Sequence, residues 1–170
     1  MRKLLFIIFL YFSCFFPAMA EVVKKIDISG NARVSDETIK IYGEIKINEN
    51  YTERDLNKIL NNLFSTNFFE DVKVEISNNV LRIKLIEHPV INQLILIGEP
   101  SNKYKEEIKK IITSKEKDSY IKSNIAKDAE LIKQLYASLG YNFTDVVTKI
   151  RNVDSFNIDI IFEINKGNPT

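Results

Sequence analysis

The stretch of sequence that decides the fold is residues 65–89, STNFFEDVKVEISNNVLRIKLIEHP. On either side of Asn78-Asn79, apolar residues alternate with polar ones, and this period of two is typical of a half-buried strand. Asparagine tolerates the left-handed backbone that a two-residue hairpin turn requires. The stretch therefore predicts a hairpin whose apolar face pairs Ile76 with Leu81 and Val74 with Ile83. The pairs on its polar face are Glu75 with Arg82 and Lys73 with Lys84.

Two helices upstream of this hairpin are predicted to cover its apolar face. Thr52 and Asp55 have the spacing of a helix capping box, and the residues that follow form one apolar helical stripe. The stripe comprises Leu56, Ile59, Leu60, Leu63 and Phe64. A shorter helix is predicted to start at Ser35 and to end near Gly43. Residues 22–31 predict a strand before it, so the element order is β-α-α-β-β.

The second half of the chain repeats this order. A predicted strand ends at Gly98 as the first strand ends at Gly30, and Asp145 corresponds to Asp71 at the start of the hairpin. By the same comparison Glu163 corresponds to Glu87. Two apolar helical stripes lie between Gly98 and Asp145. A second hairpin follows, with its turn near residues 152–157. The stripes are Ile108, Ile111 and Ile112, then Ile125, Ala129, Ile132, Tyr136 and Leu139.

An internal repeat of this kind predicts an α+β protein with two tandem β-α-α-β-β domains. Each domain is expected to contain a three-stranded mixed sheet with two helices packed on one face. The predicted limits are residues 21–89 for the first domain and 90–170 for the second. His88 and Pro89 form the joint between them, and Pro89 is expected to stiffen it.

Residues 1–20 have the pattern of a secretory signal peptide. Arg2 and Lys3 precede an apolar run from Leu4 to Phe16, and Ala18-Met19-Ala20 offers a small-residue cleavage site. The apolar run is shorter than the ~20 residues of a membrane-spanning helix. We therefore predict cleavage between Ala20 and Glu21 and export into an oxidising space, with no cysteine left for a disulfide.

No catalytic, metal or cofactor site is predicted from the sequence. His88 is the only histidine, and one imidazole without a cysteine does not complete a common zinc site. The 24 Lys and Arg residues are balanced by 23 Asp and Glu residues, which argues against nucleic acid as a partner. The aromatic residues Phe68, Phe69, Tyr141 and Phe143 are expected to fill the core at helix-to-strand corners.

The candidate functional site is the outer edge of each sheet. An edge strand leaves backbone N–H and C=O groups unpaired, and these groups can accept an extended peptide as an additional strand. The residues of the two predicted edges are Val72, Lys73, Val74, Glu75, Ile76 and Ser77, then Val146, Val147, Thr148, Lys149, Ile150 and Arg151. Lys73 and Lys149 have an alternative role as charges that protect an exposed edge against aggregation.

Four segments together resemble the polypeptide-transport-associated (POTRA) domains of the BamA family of outer-membrane assembly factors. They are ISGNARVSDETI, YTERDLNKILNNLFSTNFFEDVKVEI, LRIKLIEHPVIN and FEINKGNPT, which begin at residues 28, 51, 81 and 162. The resemblance implies periplasmic domains that precede a β-barrel, with unfolded outer-membrane proteins and accessory lipoproteins as partners. It also implies strand addition at the second strand of each POTRA sheet, here Val72–Ser77 and Val146–Arg151.

No barrel strands follow within the 170 residues, so contact with the outer membrane is expected only through a barrel absent from this chain. The resemblance therefore favours a fragment or module of a longer assembly factor. A free-standing periplasmic holdase or scaffold is the alternative. POTRA domains also occur in FtsQ-type division proteins, two-partner secretion transporters and TamA-type translocation factors, which remain further alternatives.

Overall fold

The computed structural model describes residues 21–169 and confirms the predicted α+β fold with two mixed sheets. The chain divides into two compact units, with the boundary between Glu87 and His88. The predicted signal peptide, including Ala20 of its cleavage site, lies outside the described residues.

The first unit contains the predicted strand–helix–helix–strand–strand order and one additional small sheet. The main sheet has the order β2-β5-β4, in which β2 runs parallel and β4 antiparallel to β5. The small sheet pairs β1 with β3. The elements are β1 (Glu21–Val22), β2 (Lys25–Ser29), α1 (Asp36–Gly43), β3 (Asn50–Tyr51), α2 (Glu53–Ser65), β4 (Phe69–Ser77) and β5 (Val80–Glu87).

The hairpin of β4 and β5 has the register that the sequence predicts. Ile76 pairs with Leu81, and Val74 pairs with Ile83. Asn78 and Asn79 adopt φ values of 54° and 62°, as a tight turn of the I′ type requires. On the polar face Glu75 stands opposite Arg82 as expected, but the Arg82 guanidinium donates a hydrogen bond to the Ser77 hydroxyl.

The two helices of the first unit begin where the capping signals predict. Ser35 accepts a hydrogen bond from the Thr38 N–H, and Thr52 and Asp55 form a complete capping box. The most completely buried residues of the core are Val23, Ile39, Leu63, Leu81 and Ile83. The predicted stripe of α2 is wrong at its last position, because Phe64 is 38% exposed at the end of the helix.

The second unit has the same architecture, with sheet order β6-β8-β7. Its elements are β6 (Val90–Ile97), α3 (Asn102–Ile111), α4 (Lys122–Ser138), β7 (Asp145–Asn152) and β8 (Asn157–Asn165). Alternate residues of β8, from Ile158 to Ile164, pack against buried residues of both helices. Two predicted core residues are exposed instead: Leu139 follows the end of α4, and Phe143 lies in the loop before β7 with 77% of its surface exposed.

The structure corrects one correspondence between the two copies. Val72 pairs with Leu85, and Val146, its counterpart, pairs with Ile164. Leu85 therefore corresponds to Ile164 on the last strands. Counting on from this pair, Glu87 corresponds to Lys166, so the predicted match of Glu87 with Glu163 is wrong. The second hairpin contains more additional residues than the sequence comparison assumed. Residues of its last strand are therefore further along the chain from their counterparts in the first copy.

Gly30 and Gly98 follow the first strand of the two main sheets, and the structure explains why both positions are glycine. Their φ values are 89° and 88°, a conformation that other residues rarely adopt. A Cβ atom on either glycine would lie 2.0 Å from a backbone carbonyl oxygen, that of Leu85 or that of Ile164. The turn therefore requires glycine for both its conformation and its close approach to the last strand.

Candidate functional site

All twelve residues predicted as binding edges lie on outermost strands. β4 and β7 each pair with a single neighbour, β5 and β8 respectively, and no described strand lies on their other side. They are nine and eight residues long. Each could therefore pair with an added strand along most of its length.

The turn between β4 and β5 determines which backbone groups of β4 point outward. In a two-residue hairpin the residues that flank the turn, here Ser77 and Val80, form a hydrogen-bonded pair. Hydrogen-bonded and non-hydrogen-bonded pairs alternate along an antiparallel ladder. The N–H and C=O groups of Val72, Val74 and Ile76 therefore point away from β5, towards the open edge.

The same reasoning applies to β7. The N–H of Val153 donates to the Asn157 carbonyl at 2.9 Å, just beyond the strand pairing of Asn152 with Ile158. Counting back from this pair, Val147, Lys149 and Arg151 bond to β8. The outward backbone groups are therefore those of Val146, Thr148 and Ile150.

Side chains on β7 combine apolar exposure with paired charges. Val147 and Ile150 are 45% and 50% exposed, although Val146 is buried. Lys149 forms an ion pair with Glu163 at 2.8 Å, and Arg151 donates to the buried carboxylate of Asp159 at 2.6 and 3.0 Å. The hydrogen bond from Asn92 and the contacts of Arg151 lower the pKa of Asp159. These charges have partners within the sheet, but the Lys149 and Arg151 side chains are themselves 56% and 59% exposed. The exposed surface of this edge therefore combines paired charges with apolar side chains.

The opposite edge of each sheet is partly closed by the chain itself. Val23 exchanges backbone hydrogen bonds with Asn48 and Glu49, at 2.8 and 2.9 Å. In the second unit Ile91 does the same with Lys117 and Asp118, at 2.7 and 2.9 Å. The connection after the first helix thus covers the residues just before β2 and the start of β6, and the longer open edges of the described chain are β4 and β7.

The Glu87 carboxylate stabilises the turn at the corner between β2 and α1, a role that the sequence did not indicate. Glu87, with a side chain only 5% exposed, accepts backbone N–H groups from Ala32, Arg33 and Val34 at 2.9–3.2 Å. The Arg33 guanidinium adds an ion pair at 3.0 Å. Burial alone would raise the pKa of Glu87, but the three N–H donors and Arg33 outweigh it and hold this pKa below its usual value.

The second unit builds the same corner with the charges exchanged. Lys166 stands at the position of Glu87 and forms an ion pair at 2.8 Å with Glu99, which is buried in the loop after β6. Glu99 also accepts the Ser101 N–H at 2.7 Å and the Tyr136 hydroxyl. Burial opposes ionisation of Glu99, but these donors lower its pKa; burial and the Glu99 carboxylate raise the pKa of Tyr136. Because a lysine stands at the position of Glu87 in the second domain, the acidic residues of the two copies do not correspond here.

The predicted joint residues lie between β5 and β6, where the Pro89 carbonyl accepts the Tyr120 N–H at 2.8 Å. Within residues 21–169 no three His, Cys, Asp or Glu side chains are grouped as metal ligands. No helix in the same range is both long and apolar enough to cross a bilayer. A cleft of about 640 Å³ between α1 and α2 contains Lys46 and Lys58, which pair with Glu49 and Glu44.

The chain matches one protein family over most of its length and is similar to two curated proteins. The POTRA family, described as a surface antigen variable number repeat, matches residues 21–86 and 89–167. The outer membrane protein assembly factor BamA of Neorickettsia risticii is 24% identical over 169 residues, which are 98% of this chain and 22% of that protein. The BamA of Neisseria meningitidis serogroup B is 24% identical over 148 residues, 85% of this chain and 18% of that protein. The chain thus spans about a fifth of the length of these relatives.

Among solved structures, the N-terminal domain of Omp85 from Thermosynechococcus elongatus has the same fold. It superposes with a TM-score of 0.55 at 15% identity, and the match covers 89% of this chain and 65% of that one. Together with the two sheets described above, the matches confirm the resemblance to BamA-type POTRA domains that the sequence predicts. The chain belongs to the POTRA family and contains two consecutive POTRA domains.

Proposed function

We propose that this chain is the periplasmic, non-enzymatic part of an outer-membrane β-barrel assembly factor of the Omp85 family. In this proposal it is exported by its signal peptide and associates with the outer membrane through a barrel outside the 170 residues. Its clients are unfolded outer-membrane proteins, and accessory lipoproteins of the assembly complex are its other partners. The two BamA relatives and the shared POTRA fold support this assignment.

The mechanism is strand addition at β4 and β7. The supporting observation is that each domain has one long edge whose outward N–H and C=O groups have no strand beside them within the described chain. A client segment in extended conformation bonds to these groups through its backbone, so many sequences can bind. At β4, client side chains on one face of the added strand then contact Val74 and Ile76. At β7, Val147 and Ile150 lie on opposite faces of the sheet, so client side chains on the two faces contact one each.

Proline at an outward position tests this mechanism, because it removes one donor and leaves the bonds to the neighbouring strand in place. We expect Val74→Pro and Thr148→Pro each to weaken binding of an unfolded outer-membrane protein fragment. One backbone hydrogen bond is worth about 1 kcal/mol, or roughly fivefold in affinity, and the ring adds a steric block to the edge.

Val74→Thr and Thr148→Val are the matched controls, because they change the side chain and keep the N–H. Circular dichroism must show that each proline variant is folded. If the folded double proline variant binds the fragment as tightly as the wild-type protein does, strand addition at these edges is wrong.

A further inference from the structure

Two clefts occupy the same place in the two domains, each beside the first strand of its sheet. A cleft of about 370 Å³ beside β2 is lined by Lys24, Lys25, Ile26, Lys40, Ile45 and Ile47. A cleft of about 220 Å³ beside β6 is lined by Leu94, Lys109, Ile112, Ser114, Lys115 and Glu116. We call them the β2 cleft and the β6 cleft.

Strand pairing and backbone conformation establish which residues correspond. Ile26 pairs with Leu81 as Leu94 pairs with Ile160, at the same level of the two sheets. Asn48 donates to Val23, just before β2, as Lys117 donates to Ile91 at the start of β6, and both donors have a positive φ, of 63° and 73°. Ile47 and Glu116, which immediately precede them, therefore occupy equivalent positions.

The β6 cleft contains its own carboxylate. Glu116 accepts the N–H of Leu94 at 3.3 Å, at a point where β6 has no neighbouring strand on that side among the described residues. The lysines around it also have partners: Lys109 pairs with Glu106 at 3.1 Å, and Lys115 donates to two backbone carbonyls at 2.6 and 2.9 Å. A side chain of the domain itself thus supplies the acceptor that the strand edge needs.

The β2 cleft lacks this carboxylate. Ile47 is 52% exposed and offers no hydrogen-bond acceptor. The N–H of Lys25 donates to the Asn79 carbonyl on the β5 side, so the N–H of Ile26 points to the open side, as that of Leu94 does. Among the described residues Lys24, Lys25 and Lys40 form no ion pair within 4.0 Å. Three cationic groups and one edge N–H therefore surround a site in which the described side chains place no anion.

We propose that the β2 cleft binds a glutamate side chain of an extended polypeptide, which accepts the Ile26 N–H as Glu116 accepts that of Leu94. Lys25 and Lys40 flank this carboxylate, and the apolar part of the side chain packs on Ile45 and Ile47. The occupant is a peptide segment because the chain's own example, Glu116, is carried by residues that pair with β6 at Ser119. This site is separate from the β4 and β7 edges.

The first test titrates the ¹⁵N-labelled protein with the peptide acetyl-Val-Thr-Glu-Thr-Val-amide and with its Glu→Gln counterpart. We expect the glutamate peptide to shift the Ile26 amide resonance and to bind at least about tenfold more tightly, since hydrogen bonds to a charged group are the stronger ones. Lys40→Gln should remove most of this difference. Val74→Pro should leave it unchanged, so that failure of the β4 edge and failure of this site are distinguishable.

The second test exchanges the two equivalent residues. Ile47→Glu supplies a carboxylate within the domain and should abolish the response of Ile26 to the glutamate peptide. Glu116→Gln should create a response at Leu94. Both positions are at the surface, so the variants are expected to fold. Equal shifts of Ile26 with the two peptides, or an unchanged response in Ile47→Glu, would overturn the proposal.

Discussion

Removing the Glu87 carboxylate should selectively destabilise the first POTRA domain. This group accepts N–H donors from three consecutive residues and pairs with Arg33, while only 5% of its side chain is exposed. Breaking a buried, hydrogen-bonded charge typically costs about 3–5 kcal/mol. Ala32 and Arg33 are themselves exposed, so water can reach part of the loop, and we expect about 3 kcal/mol for Glu87→Ala.

Such a loss is large for a domain of this size. At roughly 0.05–0.15 kcal/mol per residue, the ~66 residues of the domain correspond to a free energy of unfolding of about 3–10 kcal/mol. A loss of about 1 kcal/mol lowers the Tm of a small domain by roughly 4–8 °C, so we expect a fall of at least about 12 °C. Amide resonances followed by NMR during heating assign the change to one domain or the other.

Glu70→Ala is the control, because Glu70 is an exposed glutamate of β4 that forms no ion pair within the described residues. Its effect should stay within about 0.5 kcal/mol. A Glu87→Ala variant whose first-domain resonances disappear at the wild-type temperature would refute the structural role of this carboxylate.

The pH dependence of Glu87→Gln tests the same contact through its charge. The folded-state pKa of Glu87 is lowered, so the ionised group stabilises the domain above the unfolded-state pKa of about 4.3. This stabilisation is lost as the pH falls through the folded-state pKa. The wild-type protein should therefore exceed Glu87→Gln in stability at pH 7, and the difference should vanish in acid. A difference that is the same at pH 7 and pH 3 would contradict this.

Three further predictions concern the capping box, the glycine turn and the buried cluster. Thr52→Ala should lower the free energy of unfolding of the first domain by about 1 kcal/mol in urea titrations, since it removes the N-cap of α2. Gly98→Ala places a Cβ 2.0 Å from the Ile164 carbonyl oxygen and should cost the second domain at least about 2 kcal/mol, with the first-domain transition unchanged. Tyr136→Phe removes a donor to the buried Glu99 carboxylate and should cost the second domain about 1–3 kcal/mol, measured by the loss of its amide resonances.

The sequence predicts the fold well because local signals and the global arrangement agree. Alternation around Asn78-Asn79 determined the register of the first hairpin, since a slip by one residue would turn every apolar side chain to the solvent. The capping box correctly predicted the start of α2, because the Thr52 and Asp55 side chains form hydrogen bonds with each other's backbone N–H groups, three residues apart. The sequence also predicted that β4 and β7 are edge strands, and each pairs with a single neighbour in the described chain.

What the sequence does not reveal depends on contacts between distant residues. Phe64 is the second-to-last residue of α2, Leu139 follows the end of α4 and Phe143 lies in the loop before β7, and all three are exposed although apolar patterns continue to them. The Glu87 and Glu99 corners join residues that are far apart along the chain, and no local spacing indicates them. Lys166 stands at the position of Glu87 and pairs with Glu99, so the two repeats stabilise this corner with different residues and different contacts.

The measurement that tests strand addition most directly is amide hydrogen exchange with and without an unfolded outer-membrane β-barrel fragment. The outward amides are those of Val72, Val74 and Ile76 on β4, and Val146, Thr148 and Ile150 on β7. If strand addition occurs, the bound fragment slows exchange at these alternate positions and changes the ladder-bonded amides between them much less. Binding of the fragment without protection of the outward amides would contradict it.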